Sequence, residues 1–161
     1  MRKFEIISEE QWAKDISVLD SPKCGIIDHL KPHRSTKYSA GYDFISPIEI
    51  IIPAHGMAKI PTGIKAQMNE DEVLYIYSRS SIGFKTAIRL SNVVGVVDCD
   101  YYNNPDNEGH IFIKFFNPTD KDYQIHIGDK IAQGIFTKYL TVDDEEEIET
   151  ERSGGLGSTG K

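Results

Sequence analysis

Cysteine is nearly absent, with only Cys24 and Cys99 in 161 residues. Two cysteines 75 positions apart form no CxxC pair and no disulfide framework, so metal-knuckle and thiol-redox chemistry are excluded. A reduced cytoplasmic protein is the simplest expectation. Long apolar runs are also missing. The opening MRKFEIISEEQW has no hydrophobic stretch, so neither a signal peptide nor a membrane span is expected. Positive charge is in short supply, at 18 Lys and Arg against 25 Asp and Glu, a formal charge of −7. That balance argues against nucleic-acid binding, which needs a basic footprint, but not against a single nucleotide met by a few local donors. His29, His33, His55, His110 and His126 lack metal-ligand spacing. No Ser-His-Asp or Cys-His arrangement and no Walker-type phosphate loop is present.

What remains is β-rich. Short apolar or alternating runs at 48–52, 58–60, 73–77, 93–97, 111–116 and 130–136 are separated by turn signals at Pro53, Gly56, Pro61, Gly63, Asn103, Pro105, Asn117, Pro118 and Gly128. At 111–116, period 2 puts Ile111, Ile113 and Phe115 on one face and Phe112, Lys114 and Phe116 on the other. Many short strands without long helices predict an all-β single domain, a sandwich or jelly roll. One helix is expected near the start, with Ser8 as N-cap and Gln11 completing a capping box. The domain is placed at 1–142. From Asp143 to Glu151 seven of nine residues are acidic, and a glycine-rich end follows. Composition reads 143–161 either as a flexible tail or as an arm whose backbone N–H groups wrap phosphate oxygens.

Carboxylates, hydroxyls, one arginine and glycines carry the candidate chemistry, a set suited to Mg²⁺-assisted attack of water on a phosphate. Arg79 offers a planar fork for phosphate, with Ser80 and Ser81 beside it. Asp98 ends what reads as a buried strand, where a carboxylate is held rigidly enough to be a general base; the competing reading is that Asp98 and Asp100 cap a turn. Asp43 follows Gly41 and reads as an outer-shell metal partner or a turn residue. Gln133 is polar in an apolar stretch and needs a partner, structural or phosphate.

Five segments occur together in order: Ala-Gly-Tyr-Asp at 40–43, Arg-Ser-Ser at 79–81, Gly-Val-Val-Asp-Cys-Asp-Tyr at 95–101, Gly-Asp-Lys-Ile-Ala-Gln at 128–133 and Gly-Gly-Leu-Gly-Ser-Thr-Gly at 154–160. Each is weak alone; in this order and spacing the chain resembles the trimeric dUTP diphosphatase (dUTPase) family. The resemblance implies a β jelly roll assembled as a homotrimer with shared active sites, splitting dUTP into dUMP and pyrophosphate. It makes Asp98 the water-activating acid and Gln133 a second catalytic, phosphate-contacting residue. Arg79, Ser80 and Ser81 become phosphate ligands. Asn92 and the hairpin of Val96 and Val97 with the 109–112 strand read uracil, and Tyr101 lies under the deoxyribose. Arg152, Gly154, Gly155, Leu156, Gly157, Ser158 and Thr159 form the closing arm. Mg²⁺ is held largely by triphosphate and water, with Asp43 in the outer shell. Being too polar to fold back on its own core, the arm is expected to serve a neighbour's site.

Three features depart from the family pattern. Leu156 replaces the usual phenylalanine that stacks on uracil. Only Ser153 separates Arg152 from the glycine pair, where two residues are usual. The 102–108 segment is long for a hairpin tip. It makes Tyr102 a candidate replacement lid, with Phe112 the other aromatic candidate, and it reads otherwise as a subunit contact or an exposed loop. Two other functions stay open: a dCTP deaminase relative, and a nucleotide-switched regulator using the acidic run to bind a protein partner.

Overall fold

The computed structural model describes residues 1–17, 30–146, 152, 154 and 155. Among them, eleven strands and two helices follow in order. They are β1 (Lys3–Ile6), α1 (Glu9–Ile16), β2 (Tyr42–Ile45), β3 (Ile50–Ile52), β4 (Met57–Pro61), β5 (Ile64–Gln67), β6 (Glu72–Ser78), α2 (Ser80–Thr86), β7 (Arg89–Leu90), β8 (Gly95–Asp98), β9 (Phe112–Phe116), β10 (Tyr123–Ile125) and β11 (Lys130–Lys138). Every strand pairing is antiparallel. A four-stranded sheet runs β2-β11-β6-β8 and a three-stranded one β4-β9-β7, with two strand pairs, β1-β5 and β10-β3, beside them. This is the all-β jelly roll that the turn spacing predicts. No helix among the described residues is long and apolar enough to cross a membrane.

All six predicted strand runs fall on observed strands. The alternation at 111–116 holds: Ile111, Ile113 and Phe115 are buried in the core with Phe44, Ile60 and Ile131. Phe112, Lys114 and Phe116 face away from it. Ser8 caps α1 by accepting from Gln11 N–H at 3.1 Å. The reciprocal half of the capping box does not form. Gln11 Nε2 donates to Asp15 instead, at 2.8 Å, and the Ser8 N–H goes to Glu108 Oε2 at 3.1 Å.

Two expectations are corrected. The 93–97 run is not a buried strand: among the described residues β8 is the edge of its sheet and pairs only with β6. Nor does it form a hairpin with the strand at 109–112, because β9 pairs with β4 and β7 in another sheet. The connection from 99 to 111 crosses between sheets, which leaves a cleft between β8 and β9. That connection is ordered. Asn104 and Asn107 are buried. Asn104 Nδ2 donates to Tyr101 O and to Asn107 Oδ1, each at 2.8 Å. Asn103 and Glu108 take left-handed conformations, with φ of 56° and 57°. The 102–108 segment is therefore anchored by its two buried asparagines, while Asn103, Pro105 and Asp106 are exposed.

Candidate active site

The cleft between β8 and β9 holds a pocket of about 380 Å³, a size suited to a small organic ligand. Ile76, Leu90, Ile111 and Ile113 form apolar lining, and Asn92, Val96, Val97, Asp98, Tyr101, Phe112, Arg152 and Gly155 are among the residues beside them. Eight predicted site residues thus share one cavity. The backbone at Asn92 turns sharply: Val93 has φ of 63°, and Val94 N–H donates to Asn92 O at 2.7 Å.

Tyr101 sits in a 3-10 turn, Cys99–Tyr101, directly after β8. Its hydroxyl donates to His110 O at 2.9 Å and accepts from Asn107 Nδ2 at 2.8 Å. Burial pushes the Tyr101 phenol pKa up, against the pull of Asn107 and Arg152, so the hydroxyl stays a donor. Two bonds fix the ring in one place. Asp98 precedes the turn, but its side chain makes no cap hydrogen bond. The turn-capping reading therefore fails for it. The carboxylate is half-exposed at the pocket rim, as an edge strand allows.

Arg152 crosses this rim. Its Nη2 donates to Asp98 Oδ2 at 2.7 Å and its Nε to Asp100 Oδ1 at 2.8 Å. The guanidinium carbon lies 5.6 Å from the centre of the Tyr101 ring. Gly155 N–H donates to Asp106 Oδ2 at 3.3 Å, and a Cβ there would stand 2.7 Å from that same oxygen. In the single chain these arm residues lie against the pocket rim. The carboxylates of Asp98, Asp100 and Asp106 supply anchors that composition alone does not reveal. Leu156, Gly157, Ser158 and Thr159 lie outside the described residues.

A second polar corner forms at the far end of the same sheet. Asp43, on β2, has a side chain only 7% exposed. Its Oδ1 meets Arg79 Nε at 3.1 Å; its Oδ2 meets Lys130 Nζ at 2.9 Å and accepts from Ser35 Oγ at 2.6 Å. Burial pushes its pKa up, yet bonds from Ser35 and Lys130 and the charge of Arg79 outweigh this and hold it below the usual range. Ser80 and Ser81 open α2 and are exposed. The first N–H groups of a helix have no intrahelical acceptor. Gln133 lies opposite Asp43 in the ladder and donates to Ser78 O at 3.3 Å. Gly41 packs closely on Gln133: a Cβ there would come within 2.6 Å of Gln133 Oε1 and displace that side-chain end.

The two halves do not meet within one chain. Asp98 pairs with Val73 at the start of β6, whereas Ser78, next to Arg79, ends that strand. Five residues at ~3.3 Å each put the halves about 17 Å apart along the sheet.

A family model for dUTPase matches residues 29–160. The chain belongs to the dUTPase family. The deoxyuridine 5'-triphosphate nucleotidohydrolase of Lactococcus lactis is 52% identical over 131 residues, covering 80% of this chain and 87% of that protein. The crystal structure of dUTPase from Streptococcus mutans superposes with a TM-score of 0.74 at 38% identity, covering 88% of this chain and 98% of that one. The dUTPase from phage phi11 of S. aureus shares the fold, with a TM-score of 0.67 at 21% identity over 95% of this chain and 99% of that one.

Within this dUTPase fold, Tyr102 is not a lid. It is absent from the pocket lining, its phenol hydrogen-bonds the Glu5 carboxylate, and Lys65 Nζ lies 5.5 Å over its ring. Tyr101, at the end of the 3-10 turn, takes the pocket side. Phe112 is the second aromatic, beside Tyr101, that lines it, with Lys59 Nζ 4.4 Å over the ring. Sequence reasoning missed Lys59, and it missed Lys130 and Ser35 as partners of Asp43. Lys130 was within reach, since it stands inside the 128–133 segment.

Proposed function

We propose that this chain hydrolyses dUTP to dUMP and pyrophosphate, by attack of water on the α-phosphate with Asp98 as general base. The observation that carries this reading is Asp98 itself, an uncapped carboxylate at the rim of a nucleoside-sized pocket and the only acid among its described lining residues. Asn92 and the main chain of Val96 and Val97 read the uracil edge. Phe112 walls the base. Tyr101, fixed by two hydrogen bonds, lies under the sugar and leaves no space for a 2′-hydroxyl. Arg79, Ser80, Ser81 and Gln133 bind phosphate oxygens.

A separation of about 17 Å prevents Asp98 and Arg79 of one chain from serving the same phosphate. A homotrimer that brings the phosphate corner of one copy to the base pocket of another removes the difficulty. Arg152 holds Asp98 before substrate arrives. A triphosphate competes for the same guanidinium, so binding frees Asp98 to take a proton from water.

Among the described residues no group of three or more His, Cys, Asp or Glu is placed to hold a metal ion. Both Asp43 oxygens are engaged by protein donors, so direct ligation does not fit. Mg²⁺ would be held by the triphosphate and its own waters and would supply neutralisation of phosphate charge, with Asp43 reaching it through water. A dCTP deaminase needs a proton-shuttling acid near the base, and Asp98 is committed to the water. Incubation with dUTP and Mg²⁺ tests the reading: release of dUMP and pyrophosphate is expected. Ammonia from dCTP, or dUTP binding without turnover, would replace it with the deaminase or regulator reading.

A further inference from the structure

Residues 1–28 precede the stretch matched by the family model, yet α1 reaches the back of the nucleotide pocket. Asp15 Oδ2 lies 2.6 Å from His110 Nδ1, and the His110 ring is fully buried. On its other edge, His110 Nε2 accepts from Gly63 N–H at 2.9 Å. A ring nitrogen that accepts carries no proton in neutral imidazole, so Nδ1 carries it and donates to Asp15. Both aromatic walls of the pocket rest on this histidine. Its ring centre is 4.2 Å from that of Phe112, and its carbonyl accepts the Tyr101 hydroxyl. The carboxylate is itself steadied by Gln11 Nε2, which donates to the same Asp15 oxygen. Two further bonds fasten the helix to the connection that carries Tyr101: Ser8 Oγ donates to Glu108 Oε1 at 2.5 Å, and Lys14 Nζ to Asp106 O at 2.9 Å.

We propose that α1 is a positioning element of the nucleotide pocket, and that Asp15, acting through His110, sets the selectivity for sugar and base. Without an acceptor at position 15, the Nδ1–H loses its partner and the ring is free to turn or change tautomer. Phe112 loses its backing, and residue 110, whose main-chain carbonyl accepts the Tyr101 hydroxyl, loses its tie to α1, so room opens for a thymine methyl and a 2′-hydroxyl. This proposal rests on the dUTP reading above.

The test compares Asp15→Ala, which removes the acceptor, with Asp15→Asn, which keeps an acceptor oxygen. Turnover of dUTP, UTP and dTTP is measured for both and for the wild type. In Asp15→Ala the preference for dUTP over both competitors should fall about tenfold or more, the scale of discrimination that one methyl or hydroxyl carries in a close-fitting pocket, with kcat for dUTP held within about twofold. Asp15→Asn should restore most of it. Unchanged preferences in a folded Asp15→Ala, even with a lower Tm, overturn the proposal, because a merely structural clamp moves only Tm. Should Asp15→Ala fail to fold, ¹⁵N shifts of the His110 ring in the wild type decide. A protonated Nδ1 with a bare Nε2 is expected, and a proton on Nε2 overturns the proposal. If the wild type does not turn over dUTP, the catalytic reading falls alone, and calorimetric binding of dUMP against UMP then decides the positioning claim.

Discussion

Replacing Tyr101 by phenylalanine removes one oxygen and leaves the ring that walls the sugar. In the folded protein that oxygen serves two buried groups, the carbonyl of His110 and the Nδ2 of Asn107, at 2.9 and 2.8 Å. Each loses its partner, and the surrounding residues leave little access for water. An unsatisfied buried group costs ~1–3 kcal/mol, and the desolvation of the phenol itself is regained, so the net loss is about 2 kcal/mol. For a chain of this size each kcal/mol lowers Tm by ~2–4 °C, giving about 4–8 °C in all. Calorimetry at matched protein concentration reads this shift, since an oligomer's Tm depends on concentration. With its ring unpinned, Tyr101→Phe should also narrow the gap between dUTP and UTP turnover while kcat for dUTP changes little. A Tm change below about 1 °C with an unaltered dUTP preference would refute the reasoning, because neither bond would then hold the ring.

Other outcomes follow from the same geometry. Asp98→Asn keeps the shape of the side chain and loses its basicity; kcat should fall at least about 10²-fold while calorimetry still detects dUTP binding. Arg79→Lys keeps charge but loses the fork that engages Asp43 and phosphate together; dUTP KM should rise about tenfold, the equivalent of one charge-assisted hydrogen bond. Burial depresses the His110 pKa below its ordinary 6.5, against the opposing pull of Asp15. The unfolded chain therefore takes up a proton that the folded one resists. This stability is complete above about pH 6.5 and drains away as pH falls towards the depressed folded value. Denaturation midpoints measured from pH 8 down to 5 should fall more steeply for the wild type than for His110→Gln.

The residues that line the pocket were readable because they lie in short local motifs. Asp98, Tyr101, Val96 and Val97 fall within six consecutive positions, and Arg79, Ser80 and Ser81 are contiguous. Period-2 alternation likewise identified the buried face of β9. Long-range pairing was not readable in this way. The β8–β9 hairpin looked natural from sequence proximity, but whether two strands share a sheet depends on the whole barrel. The role of Tyr102 was missed because its partner, Glu5, is 97 residues away. α2 escaped because Gly83 and two serines read as loop, whereas burial of Ile82 in the core holds the helix down. His110 was set aside for lacking metal spacing, although its partner Asp15 is 95 residues distant and leaves no local signature.

The most direct measurement mixes two inactive proteins, Asp98→Asn chains and Arg79→Ala chains, unfolds them together and refolds them into mixed trimers. If one copy supplies Asp98 and another Arg79, random assembly in equal parts gives about one site in four with both groups intact. dUTP turnover should then recover to about a quarter of the wild-type value per site, with pyrophosphate as product. Mixed trimers proven by mass that show no recovery would contradict the account, because Asp98 and Arg79 would then have to act from the same chain.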